Sequence, residues 1–291
     1  MRTPPVVMPA IVTPFGRRGS IDLAGHRHNV ELLGSRGTAG FVIGGSTGEG
    51  PYLEPDERLE LAAATRDAAP EAFVMVGLAA ESLRAAVAMS EEAADGGADA
   101  VLALTPASLV RHRPDLVEGF FVDLAGRARL PVFLYSVPRV AGLELPIESA
   151  IRLASLEGIV GMKDSGGHPG RISHIAALAG EKFSMYCGAS AAIALSIAGG
   201  ARGAITASAN YASALVSRVV EAAGRSPGEA SEQQKHLRTL SAAVERHGVA
   251  GVKHAAARVG LVTGPPRRPL LTPGAKAKRE IDAALDAAGV L

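Results

Sequence analysis

The feature that most constrains this chain is an alternation. Short runs of apolar residues recur at 6–15, 41–45, 73–78, 100–104, 132–135, 159–163, 183–186 and 203–206. Each run is short enough for a buried strand, and each is followed by a longer segment that reads as a helix. The punctuation agrees. Asp22 is placed to cap a helix to about residue 34, and Ser82 one to about residue 94. Pro55, Pro114 and Pro146 stand where a helix opens, a position at which the missing N–H costs nothing. Helical segments are also expected at 169–179, 191–198 and 211–223. Eight strand–helix units within about 220 residues predict an α/β fold, a (β/α)₈ TIM barrel. A doubly wound sheet is the rival, but no Gly-rich phosphate turn follows the first strand. Arg225-Ser226-Pro227-Gly228 reads as a linker, and 229–246, 249–259 and 273–288 read as helices. The expected organisation is a barrel over residues 1–224 with a C-terminal helical appendix over 225–291.

Composition narrows the function. The 30 basic residues are matched by 29 acidic ones, aromatics make up 4% and Trp is absent, so a nucleic-acid surface with its basic stripe and stacking rings is not expected. The lone cysteine, Cys187, excludes an internal disulfide framework and a cysteine-based zinc site, and fits a reducing compartment. No apolar run approaches the ~18 residues of a membrane span. The N-terminus lacks a signal-peptide core. A cytoplasmic protein with no membrane contact is the expectation.

In a barrel of this kind the chemistry sits where strands end and βα loops begin. Ile159-Val160-Gly161-Met162-Lys163 is an apolar run with one lysine near its end. Period two puts Ile159, Gly161 and Lys163 on one face, Val160 and Met162 on the other. An amine among apolar neighbours loses hydration, which disfavours the ammonium form, and a neutral amine adds to carbonyl carbon to give a Schiff base. The plain alternative is a lysine that snorkels to water at the strand end. The second strand delivers Gly45-Ser46-Thr47-Gly48-Glu49, whose two hydroxyls and turn N–H groups form a small cradle for a carboxylate; the plain alternative is an ordinary turn. The fifth strand delivers Tyr135, on the same face as Phe133, a phenol able to relay a proton or simply a half-buried tyrosine. An amine, a proton relay and a carboxylate cradle at one barrel end suit 2-oxo acid chemistry. Asp164 falls on the opposite face and is read as structural.

With these residues in order, the chain resembles the pyruvate-type class I aldolases of the dihydrodipicolinate synthase and N-acetylneuraminate lyase family. The likeness rests on Gly45-Ser46-Thr47-Gly48-Glu49, Tyr135-Ser136-Val137-Pro138, Gly161-Met162-Lys163-Asp164-Ser165 and Gly264-Pro265-Pro266-Arg267. It implies that Lys163 forms the imine, that Tyr135 shuttles protons, that Ser46 and Thr47 hold the substrate carboxylate, and that Gly188 and Ile205 line the pocket. It also implies a homo-oligomer, a tetramer or dimer, with no metal and no cofactor. Two departures stand out. Ala107 and Ser108 occupy the place of a tyrosine pair after Thr105-Pro106. Val140 stands where the synthase branch has a carboxylate-binding arginine, with Arg139 just before it, which weighs against the synthase reaction. The motifs look closest to the 4-hydroxy-2-oxoglutarate aldolase branch.

The expected function is therefore a Schiff-base lyase acting on a 2-oxo acid, by retro-aldol cleavage or its reverse. The alternatives are a sugar-acid dehydratase using the same imine, or a ligand-binding homologue with weakened catalysis. Arg111-His112-Arg113 is read as a solvated loop that could instead attract a distal carboxylate. The histidines His26, His28, His168 and His174 lack ligand spacing and are read as surface or helix residues. Gly264 to Arg268 is read as a rigid inter-helix loop.

Overall fold

The structure is a computed structural model and describes residues 2–291. In chain order the elements are β1 (Val7–Pro9), α1 (Leu23–Ser35), β2 (Gly40–Ile43), α2 (Pro55–Ala68), β3 (Phe73–Leu78), α3 (Leu83–Asp95), β4 (Ala100–Leu104), α4 (Pro114–Ala125) and β5 (Val132–Ser136). They continue as α5 (Pro138–Ala141), α6 (Ile147–Ala154), β6 (Ile159–Asp164), α7 (Pro169–Ala179), β7 (Ser184–Cys187), α8 (Ile193–Ala198), β8 (Gly203–Thr206) and α9 (Ser213–Ala223). Three further helices follow: α10 (Pro227–Glu245), α11 (Gly248–Arg258) and α12 (Ala275–Ala287).

The eight strands pair in parallel in the order β1-β8-β7-β6-β5-β4-β3-β2, and the seam between β1 and β2 is bridged by Ala10 and Val42. This is a (β/α)₈ TIM barrel with C-terminal helices. Inside it, Met8, Val42, Phe73, Met75, Leu102, Phe133, Tyr186 and Ile205 fill the bore. A larger apolar layer, which includes Leu61, Val74, Phe121, Leu134, Ile172 and Val216, fills the space between strands and helices. Both layers are dry, which is why the strands read as nearly continuous apolar runs.

Local chemistry fixes the helix starts. The Asp22 carboxylate accepts from Gly25 N at 2.8 Å and Ser82 Oγ from Ala85 N at 3.3 Å. Proline stands in the first turn of α2, α4, α5, α7 and α10.

Four local readings change. The first strand spans only Val7–Pro9, because the chain then swaps partners: Ala10 N donates to Thr206 O of β8, and Ile11 N donates to Val42 O of β2. Those two bonds close the barrel and end regular pairing. No helix was expected at 138–141, where Pro138 opens the single-turn helix α5. Pro227 and Gly228, expected as linker, are the first residues of α10.

The fourth change matters most for the site. β6 is irregular where it meets β5: Val132 pairs with Ile159, but Phe133 pairs with Gly161. Val160 is the extra residue of a bulge, and a bulge breaks the strict alternation of faces. Ile159 therefore packs in the outer layer and Val160 toward the bore, the reverse of a strict period of two. From Gly161 onward alternation resumes, with Met162 outside and Lys163 toward the interior.

The appendix docks through α10. The Gln234 side chain accepts from Ala194 N and donates to Ser190 O, both at 2.9 Å, tying α10 to the β7–α8 connection. Ile281 and Leu285 bury the inner face of α12. Among the described residues no helix is long and apolar enough to cross a membrane.

Candidate active site

The end of β6 presents Lys163, directly in register with Tyr135 of β5 and Tyr186 of β7. The lysine is only 4% exposed, and its Nζ lies 4.4 Å from the centroid of the Tyr135 ring. The adjacent carboxylate does not neutralise it. Asp164 points the other way, accepting from Arg171 Nε at 2.8 Å and Gly166 N at 2.9 Å. Arg171 also donates to Leu145 O, so this ion pair staples the strand end to the loop before α6. The expected structural place of Asp164 is what the geometry shows.

Tyr135 O–H lies 3.4 Å from Ser46 Oγ. Burial alone would raise this phenol. The charge of Lys163, with hydrogen bonds from Ser46, Lys163 and Ser165, outweighs burial and holds it below the usual phenol range. A phenol so placed gives up its proton more readily than one in water.

The Ser46–Thr47 turn is set by close packing. A Cβ on Gly50 would fall 1.8 Å from Gly44 O, so only glycine fits there. Glu49 takes a left-handed φ of 59°, the only non-glycine to do so among the described residues. Its carboxylate is buried, contacts Lys253 Nζ at 2.5 Å and accepts from Arg267 N at 2.8 Å. The C-terminal loop thus has a specific anchor: the Arg267 guanidinium pairs with Glu57 and donates to Gly19 O. Two buried lysines can now be contrasted. Lys253 has a carboxylate partner, and Lys163 has none among the described residues.

Lys163, Tyr135, Ser46, Thr47 and Gly188 line one cavity of about 570 Å³, joined by Ser165. Arg139, Ser190, Arg238 and Glu245 also line it. Gly188 is there for space: a Cβ would sit 2.0 Å from Ser165 Oγ and 3.0 Å from Lys163 Cε. Ile205 is placed elsewhere. It is fully buried in the barrel bore, and Ala207, two residues on, reaches the cavity instead.

The loop after β4, where the tyrosine pair is missing, is held by an acid. Ala107 N and Ser108 N both donate to Glu81 Oε2, at 3.0 and 2.9 Å. Arg113 pairs with Asp115, the Arg111 guanidinium lies against Gly142, and His112 is exposed; none of the three lines the cavity, whereas Arg139 does. Cys187 is buried, and burial pushes its thiol up. No cluster of three or more His, Cys, Asp or Glu suited to a metal ion occurs among the described residues.

Ser165, Ser190, Arg238 and Glu245 were not singled out by the sequence. Ser165 had a signal, since it lies two residues beyond Lys163. Arg238 and Glu245 had none: they reach the cavity because α10 docks across the barrel mouth, and no local pattern encodes that.

Comparison with known proteins adds an independent line. The model of the dihydrodipicolinate synthetase family matches residues 4–288. A 4-hydroxy-tetrahydrodipicolinate synthase of Chelativorans sp. (strain BNC1) is 34% identical over 286 residues, covering 97% of this chain and 97% of that protein. A second, from Methanothrix thermoacetophila, is 32% identical over 268 residues, covering 91% and 90%. Among solved structures, a chloride-inhibited dihydrodipicolinate synthase from Acinetobacter baumannii complexed with pyruvate superposes with a TM-score of 0.94 at 28% identity, covering 99% of this chain and 100% of that one.

Proposed function

The chain belongs to the dihydrodipicolinate synthetase family, and we propose that it is a class I lyase that joins Lys163 to a 2-oxo acid as a Schiff base and breaks or makes the adjacent carbon–carbon bond. The observation that supports this best is the pairing of a buried lysine, free of any carboxylate among the described residues, with a phenol whose ring centroid is 4.4 Å away and whose O–H meets Ser46. Pyruvate as the core of the substrate is supported by the bound ligand of the Acinetobacter baumannii structure.

The substrate carboxylate docks at Ser46 and Thr47. Once the Lys163 ammonium has given up a proton, its amine adds to the 2-oxo carbon. Loss of that oxygen as water leaves a protonated imine. The electron pair of the C3–C4 bond then flows into the imine, giving an enamine, while the C4 hydroxyl surrenders its proton and becomes an aldehyde. Tyr135 relays that proton, a role its depressed phenol suits, and a proton later returns to C3. Water finally releases pyruvate and restores the amine. The imine is the electron sink, so the route uses no metal and no organic cofactor. A cytoplasmic homo-oligomer belongs to the same proposal.

Reduction with borohydride in the presence of pyruvate should fix the ligand to Lys163, found by peptide mass, and Lys163→Ala should abolish both adduct and turnover. An adduct at another residue, or turnover in Lys163→Ala, overturns the assignment.

A second reading is the synthase reaction itself, favoured by the names of both curated relatives. Val140 argued against it from the sequence, yet Arg139 beside it offers a guanidinium to the same cavity. Aspartate semialdehyde supplied with pyruvate separates the two: a cyclised product marks the synthase, and pyruvate release from 4-hydroxy-2-oxo acids marks the lyase.

A further inference from the structure

One carboxylate in the wall of the catalytic cavity has no part in the chemistry above. Glu245 closes α10, and both of its protein hydrogen bonds land on Oε1, from Ser190 Oγ at 2.6 Å and from Tyr211 O–H at 3.2 Å. Among the described residues Oε2 receives no donor, and it is not sealed among protein atoms. Burial pushes the Tyr211 phenol far above its ordinary range, so it stays a donor, and Ser190 is held by the turn that Gln234 clamps. Glu245 is therefore oriented, with one oxygen saturated and one lone-pair set offered to the cavity. Burial raises its carboxyl, opposed by those two hydrogen bonds and by the charges of Arg139 and Lys163.

A ligand joined at C2 to Lys163, with its carboxylate at Ser46 and Thr47, has its remaining carbons in the rest of the cavity, which Glu245 helps to line. A fixed acceptor there wants a donor. A hydroxyl supplies one; a distal carboxylate does not, and would have to engage Arg139 or Arg238 of the same lining instead.

We infer that Glu245 is a specificity-determining residue that accepts a hydrogen bond from a hydroxyl on the aldehyde half, so that this chain takes 4-hydroxy-2-oxo acids hydroxylated beyond C4. The inference rests on the imine chemistry assigned to Lys163.

Pyruvate release is measured from 4,5,6-trihydroxy-2-oxohexanoate and from 4-hydroxy-2-oxohexanoate, with wild-type protein, Glu245→Gln and Glu245→Leu. A hydrogen bond to a charged group implies a wild-type preference for the trihydroxy acid of about 10–100-fold in kcat/KM, expressed mainly in KM. Glu245→Leu should bring the ratio close to one, and Glu245→Gln, which keeps the shape and a neutral acceptor, should retain part of it. No preference in the wild type, or an unchanged preference in Glu245→Gln, overturns the inference, and the Gln variant decides the matter if the Leu variant does not fold. Failure of the Lys163 reading shows separately, as wild-type protein that traps no pyruvate.

Discussion

At the scale of single residues, Tyr135 and His26 show how burial is put to opposite uses. Tyr135 is buried beside a cation and a hydroxyl, and the balance leaves its phenol easier to ionise. Tyr135→Phe keeps the ring over Lys163 and removes only the O–H. Turnover should fall by about 10²–10⁴-fold, while pyruvate remains trappable by borohydride. A Phe variant with wild-type kcat would remove the phenol from the relay. His26 is buried with no compensating anion among the described residues. Thr65 Oγ1 donates to Leu61 O at 2.8 Å, so it accepts from His26 Nε2 at 2.7 Å, which places a ring proton on Nε2 and leaves Nδ1 unpartnered among the described residues. Burial, then the charge of Arg27, lowers its pKa from 6.5 to about 4. The folded pKa lies below the unfolded one, so the unfolded chain binds the extra proton. Stability is then full above about pH 6.5 and is lost as pH falls toward about 4. Between pH 7.5 and pH 5 the loss should be about 2 kcal/mol. Urea unfolding at the two pH values should show that difference in the wild type and a smaller one in His26→Gln; an equal difference would put the acid sensitivity elsewhere.

At the scale of elements, β6 decides where the amine goes. Its bulge at Val160 resets the faces, Asp164 and Arg171 pin its end, and Gly188 at the end of β7 leaves the space into which Lys163 and Ser165 project. Arg171→Ala would strand a fully buried Asp164 carboxylate, at a cost of about 3–5 kcal/mol. Arg171→Ala together with Asp164→Asn should recover much of it, as read by urea midpoints; a double variant no more stable than the single one would show that the pair does not act as a unit. Strands such as β3, β4 and β8 were legible residue by residue because they are buried on both faces and bounded by polar or glycine turns. The first strand was overread because residues 10–15 are just as apolar, although they pair only through single bridges. The bulge could not be read at all, since it exists only in the register between β5 and β6. Lys163, Tyr135, Ser46 and Thr47 were legible because each ends a strand or begins a loop. Glu245 was not, because its place depends on how α10 docks.

At the scale of the molecule, the C-terminal helices are part of the site rather than an addition to it. Lys253 of α11 reaches into the turn that carries Ser46 and Thr47, contacting Glu49 at 2.5 Å, donating to Pro265 O at 3.2 Å and lying 4.4 Å from the centroid of the Phe15 ring. Burial pushes the Lys253 ammonium below its ordinary range and Glu49 only partly restores it, so the ion pair is kept at a real desolvation cost. That cost makes sense if the pair fixes the geometry of the carboxylate cradle, because among the described residues the left-handed turn at Glu49 is otherwise anchored only by the uncharged backbone N–H of Arg267. Lys253→Met leaves Glu49 buried without its counter-charge and should destabilise by about 3–5 kcal/mol. Adding Glu49→Gln should cost less than the two single changes summed, by about 1–3 kcal/mol. The functional half of the test is capture of the 2-oxo acid: with Lys163 and Tyr135 untouched, KM for substrate should rise in Lys253→Met more than kcat falls, since the cradle binds and the amine reacts. A loss confined to kcat would mean that α11 acts on the lysine end of the cavity instead, and strict additivity would mean that Glu49 and Lys253 do not hold the turn together.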